Sequence, residues 1–176
     1  EGIMMMQMTL SQSQYFSSKL GKDVKRGLER KANLGWWPGP SKPGYINTPN
    51  EQKGQKIILN DPERFSIIKK VFTTLLGHLY SPSQVLDMLN NDWGYTTGKR
   101  GKFGGKPMSH SFYYEMLSDP FYYGSFEFPK NSGKWYQGKH EPMISKEEYD
   151  EIQMMIGRSL SNPRAENRQD AFYGSF

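Results

Sequence analysis

The three histidines His78, His110 and His140 are the side chains in this sequence best suited to proton transfer or metal ligation. They stand at least thirty residues apart, and none belongs to a close pair such as H-x-x-x-H that would set two imidazoles on one helical face. Each reads as a loop or surface residue. The carboxylates Glu147, Glu148, Asp150 and Glu151 crowd a helix start, where negative charge suits the positive end of the helix dipole, and they read as capping groups and not as an acid–base pair. The stretch Gly101 to Lys106 is glycine-rich and cationic. It matches neither G-x-G-x-x-G nor G-x-x-x-x-G-K-[ST], and no clear strand leads into it, so a nucleotide-phosphate cradle is a weak reading. With no cysteine in 176 residues, a disulfide scaffold, a thiolate zinc site and thiol redox chemistry are excluded. The expectation is a chain with no catalytic centre, no metal site and no cofactor of its own.

What remains is the chemistry of binding. The net charge is +5, and it is unevenly distributed. Between residues 19 and 31, Lys19, Lys22, Lys25, Arg26, Arg30 and Lys31 face only Asp23 and Glu29. Lys99, Arg100, Lys102 and Lys106 form a second run, with no acidic residue between Asp92 and Glu115. One such run is ordinarily a solvated face; two on one chain point to a polyanionic partner.

The elements that must position these cations are legible from periodicity and caps. From Ile3 to Asn33 there is no proline, and Met5, Met8, Phe16, Leu20, Val24 and Leu28 recur at helical spacing, which predicts one long helix. Gly21 and Gly27 weaken it by about 1 kcal/mol each, so its stability is expected to come from packing of that apolar stripe. Gly35 to Tyr45 holds three prolines and three glycines and is expected to be a stiff, stretched linker. Lys56 to Leu59 reads as a short strand. Helices are expected over 62–76 (Phe65, Ile68, Val71, Phe72 and Leu75 inward), over 82–90 behind the capping box Ser81 to Gln84, over 109–117 behind Ser109, and over 145–160. Phe121 to Trp135 reads as a hairpin around Pro129 to Gly133. The residues after Ser161 read as a mobile tail. The fold class is mainly α with a small β component, a long first helix followed by a winged-helix-turn-helix-like domain with a hairpin. The segments are 1–34, 35–47, 48–160 and 161–176. No apolar run approaches the roughly 20 residues of a membrane span, and a soluble, cytoplasmic protein is expected.

In order along the chain stand Lys22-Asp23-Val24-Lys25-Arg26-Gly27-Leu28, then Gly35, Pro43-Gly44-Tyr45, the helix from Ser81 to Asn90, Gly94-Tyr95-Thr96-Thr97 and Met108-Ser109. Met116-Leu117-Ser118-Asp119-Pro120-Phe121-Tyr122-Tyr123-Gly124, His140-Glu141-Pro142-Met143-Ile144-Ser145 and a helix ending at Arg158 follow. In this order and spacing, over nearly the whole chain, the sequence resembles the recombinase domain of large serine recombinases, the phage integrases and their transposon relatives.

The resemblance implies that an upstream domain carries the DNA-attacking serine and that a zinc ribbon with cysteine ligands follows, with residues 1–33 as the end of the former and Phe172 to Phe176 as the approach to the latter. It implies double-stranded DNA, half of an attachment site, as partner, and a dimer or tetramer of the parent on that DNA. The expected contacts are Lys22, Lys25, Arg26, Arg30 and Lys31 on the long helix, and Lys42, Pro43, Gly44 and Tyr45 in the linker along the minor groove. In the basic loop they are Lys99, Arg100, Lys102 and Lys106, and on the third helix of the domain Ser109, His110, Ser111, Tyr113 and Tyr114. A stand-alone winged-helix regulator and a protein-interaction scaffold are the competing readings.

Overall fold

The computed structural model describes residues 2–48, 56–99 and 102–160, with side chains described between Tyr15 and Gly157. Among the described residues it contains five α-helices and two antiparallel two-stranded hairpins. They are α1 (Gly2–Asn33), β1 (Tyr45–Asn47), β2 (Ile58–Asn60), α2 (Phe65–Leu76), α3 (Pro82–Asn91), α4 (His110–Leu117), β3 (Ser125–Glu127), β4 (Trp135–Gln137) and α5 (Lys146–Leu160). The mainly α class with a small β part is the observed one. The chain forms two compact units, residues 1–69 with 120–143, and residues 70–119 with 144–176.

In the first unit, α1 ends in a Schellman motif. Trp36 N–H donates to Lys31 O (3.1 Å) and Gly35 N–H to Ala32 O (2.8 Å), with Gly35 in the left-handed region at φ +80. Of the expected apolar stripe of α1, Phe16, Leu20 and Val24 are exposed and burial begins only at Leu28 and Ala32, while the side chains of Met5 and Met8 lie outside the described residues.

The segment after α1 is a folded strap rather than a stretched linker. The Trp37 indole donates to Pro40 O (2.8 Å) and packs edge-on against Phe121 and Phe126, at 6.0 and 5.4 Å between ring centres. Lys42 to Tyr45 closes a turn, Tyr45 N–H to Lys42 O at 3.0 Å, with proline second and Gly44 third at φ +82, the type II pattern. The turn delivers Tyr45 into β1, a strand that the proline-rich composition concealed. Its partner β2 lies slightly downstream of the expected strand, with Tyr45 opposite Asn60 and Asn47 opposite Ile58.

Asp61 caps the next helix from its own turn. Its Oδ1 accepts from the N–H groups of Glu63 and Arg64, and its Oδ2 meets the Arg64 guanidinium at 3.0 Å, so regular helix starts at Phe65 rather than at Pro62.

The second hairpin is shorter than expected. Pro120–Tyr123 winds into a 3-10 turn, because Phe121 and Tyr122 are adjacent and both buried, which a strand with alternating faces cannot provide. Gly124, at φ +93, then releases the chain into β3, which pairs with β4 in the register Phe126 opposite Tyr136.

The second unit is helical. Val85, Leu86 and Leu89 of α3, Tyr113, Met116 and Leu117 of α4, and Ile152 and Ile156 of α5 are buried with Val71, Phe72 and Leu75 of α2. The capping box at Ser81 is present, and Ser145 and Glu148 form another before α5. Two α5 side chains satisfy the end of α4: Tyr149 Oη donates to Ser118 O and Gln153 Nε2 to Leu117 O, both at 2.8 Å. The expected tail from Ser161 lies outside the described residues.

Candidate nucleic-acid interface

α1 sets out the first group of cations. Residues Lys19, Lys22, Arg26 and Arg30 are separated by three, four and four positions, so they run along one side of the helix, and all four are exposed. Lys25 is exposed on a neighbouring face, and Lys31 is half-buried beside the helix end. Charge here is presented by secondary structure alone, since among the described residues no neighbouring element covers Tyr15 to Gly27.

The strap departs from expectation at two of its four assigned residues, Gly44 and Tyr45. Tyr45 is 3% exposed; its hydroxyl donates to Glu141 O and its ring meets Phe65, Phe121 and His140 edge-on. A tyrosine held on every side has no free edge for a sugar. Gly44 is buried too, its carbonyl accepting from Asp61 N–H, and a methyl group added there would strike Met143 and crowd Ile68. Pro43 O accepts from the Tyr122 hydroxyl at 3.0 Å. The small residues of the strap serve the fold. Lys42 keeps a partly exposed position, its ammonium 4.9 Å from the centre of the Trp37 ring.

In the second unit, the basic loop has a closed neck. Thr97 N–H donates to Lys106 O (2.9 Å), Gly105 N–H to Thr97 O (2.8 Å), and Lys106 N–H to Thr97 Oγ1 (3.2 Å). Lys99, Lys102, Phe103 and Lys106 are exposed, and Arg100 lies outside the described residues. The loop is delivered to α4 by Asn90, which receives Met108 N–H on Oδ1 (2.8 Å) and donates from Nδ2 to Met108 O (3.0 Å). This side-chain clamp mimics a strand pair and fixes where α4 begins.

On α4 the N-cap Ser109, His110 and Ser111 are exposed and Tyr114 is half-exposed, its ring 4.5 Å from that of His110. Tyr113 is 0% exposed and belongs to the core with Met116 and Leu117, one helical turn on. Its assignment as a contact is corrected on that ground.

Burial pushes the phenols of Tyr45 and Tyr113 far above their ordinary range, with the Glu141 charge adding to the first and Tyr114 to the second. Glu147 is held below the usual carboxylate range by a backbone hydrogen bond and by the Ser145 hydroxyl, as a capping group should be. Among the described residues no cluster of His, Cys, Asp or Glu could hold a metal ion, and no helix is long and apolar enough to cross a membrane.

The profile of a family described as Recombinase matches residues 62–158, from the turn before α2 into α5. The chain belongs to the recombinase family. Its fold is similar to that of two solved chains. One is described as the crystal structure of a LSR-DNA complex (TM-score 0.59, 17% identity, 84% of this chain and 43% of that one). The other comes from work on the sequence requirements of the Listeria innocua prophage attP site (TM-score 0.58, 17% identity, 82% of this chain and 55% of that one). At such identity the likeness is one of fold, and this recombinase-family chain spans about half the length of the chains it matches or less. The curated proteins give no match.

The second hairpin adds candidates that the sequence reading does not include. In this recombinase-family chain the outward positions of β4 are Trp135 and Gln137, with Lys139 two residues further on. Their period-two spacing is the signal in the sequence that could have found them.

Proposed function

We propose that this chain binds duplex DNA as the DNA-binding part of a serine site-specific recombinase. The observation that carries the reading is the exposed row Lys19, Lys22, Arg26 and Arg30 on α1. It spans about 16 Å at the helical rise of 1.5 Å per residue, and a bare cationic row of that length matches the closely spaced charges of a duplex backbone. Family membership and the fold shared with a chain from a LSR-DNA complex and with one from work on a prophage attP site support it.

On this reading Lys25, Lys31 and Lys42 extend the phosphate contacts of the first unit. In the second, Lys99, Arg100, Lys102 and Lys106 add affinity without sequence preference, and the first turn of α4, with Ser109, His110, Ser111 and Tyr114, reads base edges or phosphates. The attacking serine and the zinc ligands correspond to no residue here; the parent supplies them and works as a dimer or tetramer on its attachment site. Residues 1–34 end the parent's catalytic domain, 35–47 join it to the DNA-binding domain of 48–160, and 161–176 lead onward.

The test is duplex binding across a salt series, for this chain and for a variant with Lys19, Lys22, Arg26 and Arg30 all replaced by alanine. Binding should fall linearly on a log–log plot, and the variant's slope should be shallower by about 3.6, at about 0.9 for each phosphate no longer neutralised. Affinity indifferent to salt, or no duplex binding at all, overturns the reading.

A further inference from the structure

The outer face of the β3–β4 hairpin carries chemistry that α1, the strap and α4 leave unused. Alternation along β4 turns Tyr136 inward, stacked on Phe126 at 5.7 Å between ring centres, and leaves Trp135 and Gln137 outward. Trp135 is 55% exposed on a sheet of only two strands. Lys130 and Lys134 are exposed at the tip, and Lys139 continues the outward period with its ammonium 6.0 Å from the centre of the Trp36 ring. Glu127, opposite Trp135, is the only carboxylate between residues 125 and 139, and it accepts the N–H of Gly133 at 2.7 Å. The face thus combines one large indole, a second ring nearby and an excess of lysine.

A lone exposed aromatic is ordinary on a protein surface. Three exposed lysines on the same hairpin and the strand leaving it are what select a partner. Cores of protein–protein interfaces are depleted in lysine, because each ammonium must shed a tightly held water shell, whereas phosphate oxygens recruit lysine and leave it partly hydrated. The hairpin is also continuous with the basic end of α1: Lys139 N–H donates to Gly35 O at 2.9 Å, so the strand leaving the hairpin is bonded to the residue that terminates the helix bearing Arg30 and Lys31. A methyl group added to Gly35 would lie 2.9 Å from Gln137 O, so the two elements meet closely.

We infer that the outer face of this hairpin is a further DNA-contact surface, where Lys130, Lys134 and Lys139 engage backbone phosphates and Trp135 lies against the sugar edge between them. The inference rests on the DNA reading above and adds a surface to it. Its contacts go to the backbone, so they fix position and add affinity without selecting sequence.

The experiment uses the whole chain and a mixed-sequence duplex. The double variant Lys130→Ala with Lys134→Ala should bind all duplexes more weakly and show a log–log salt slope shallower by about 1.8. Bound DNA should shield the tryptophan fluorescence of the unsubstituted chain from acrylamide, and Trp135→Phe should abolish most of that shielding; both variants change exposed side chains, and an unchanged far-ultraviolet circular dichroism spectrum confirms their fold. If the unsubstituted chain binds no duplex, the DNA reading itself fails and this surface falls with it. If it binds but slope and shielding are the same with and without the substitutions, the hairpin inference alone is overturned. Loss of self-association in the variants with DNA affinity unmoved marks the face as a protein contact and overturns it equally.

Discussion

The hydroxyl of Tyr45 donates a 2.6 Å hydrogen bond to the backbone carbonyl of Glu141, 96 residues away in sequence. This single bond joins the first strand after the strap to the segment that leaves the second hairpin. Tyr113, equally buried in the helical unit, has a hydroxyl with no hydrogen-bond partner among the described residues. The two phenols should therefore answer differently to removal of their oxygen. Tyr45→Phe strands the Glu141 carbonyl and is expected to cost about 1 kcal/mol; Tyr113→Phe removes a buried polar atom that is unsatisfied in place, and is expected to be neutral or stabilising by up to about 1 kcal/mol. Urea titration of both variants reads the difference, and equal losses in the two would contradict it.

Alkaline pH offers an independent view of the same pair. Both phenols have folded-state pKa values raised by burial. A raised value means that the folded chain holds the proton more tightly than the unfolded one. The stabilisation is complete below the ordinary phenol pKa of about 10 and is lost as pH climbs beyond it. Tyr45 and Tyr113 should ionise only as the chain unfolds. Phenolate absorbance followed beside circular dichroism tests this; full ionisation with the helical signal intact would show that the two are not held neutral by the fold.

Gly35 and Gly94 both occupy the left-handed region, at φ +80 and +61, yet their surroundings differ. A methyl group at Gly94 meets nothing within 4 Å, while at Gly35 it would press on the backbone oxygen of Gln137 at 2.9 Å. Gly94→Ala should lose about 1 to 2 kcal/mol, the cost of a side chain in that backbone region. Gly35→Ala should lose more, because strand β4 must also move. Comparable thermal shifts in the two variants would mean that the helix end is not seated against the hairpin.

The helices were legible because their signals are local. Ser81, Ser109 and Ser145 cap where their spacing to Gln84, Phe112 and Glu148 predicts, and Val85, Leu86 and Leu89 follow the helical period. What escaped was set by distant partners. Tyr45 looks like a linker aromatic until Phe65, Phe121 and His140 close around it, and those residues come from three different stretches of chain. The 3-10 turn at Pro120–Tyr123 escaped for the same reason, since alternation of aromatic and small residues suits a strand unless both Phe121 and Tyr122 must be inside. Of the expected contact residues that the structure describes, those defined by charge are exposed or half-exposed. Those chosen for small size or aromaticity, Gly44, Tyr45 and Tyr113, were drawn into the interior by packing that no local pattern announces.

Gly21 and Gly27 bear on how α1 presents its cations. Among the described residues nothing lies within 4 Å of a methyl group added at either position, and both keep ordinary helical backbone, so neither glycine is required by a close approach there. Each leaves the helix about 1 kcal/mol weaker than alanine would. Tyr15 to Gly27 are exposed, so opening of this stretch is not tied to the core, and the effect of substitution should appear locally rather than in the global melting point. Gly21→Ala and Gly27→Ala should each raise amide-exchange protection along this part of α1 by about five-fold, the factor that corresponds to about 1 kcal/mol. The row Lys19, Lys22, Arg26 and Arg30 lies on a different side of the helix from Gly27, so a stiffer helix should hold its charges in register without obstructing them. Duplex affinity should then stay level or rise slightly in both variants. A marked loss of affinity in Gly27→Ala alone, with exchange protection raised as expected, would show that the duplex backbone comes against Gly27 itself and would move the contact face of α1 round toward Leu20.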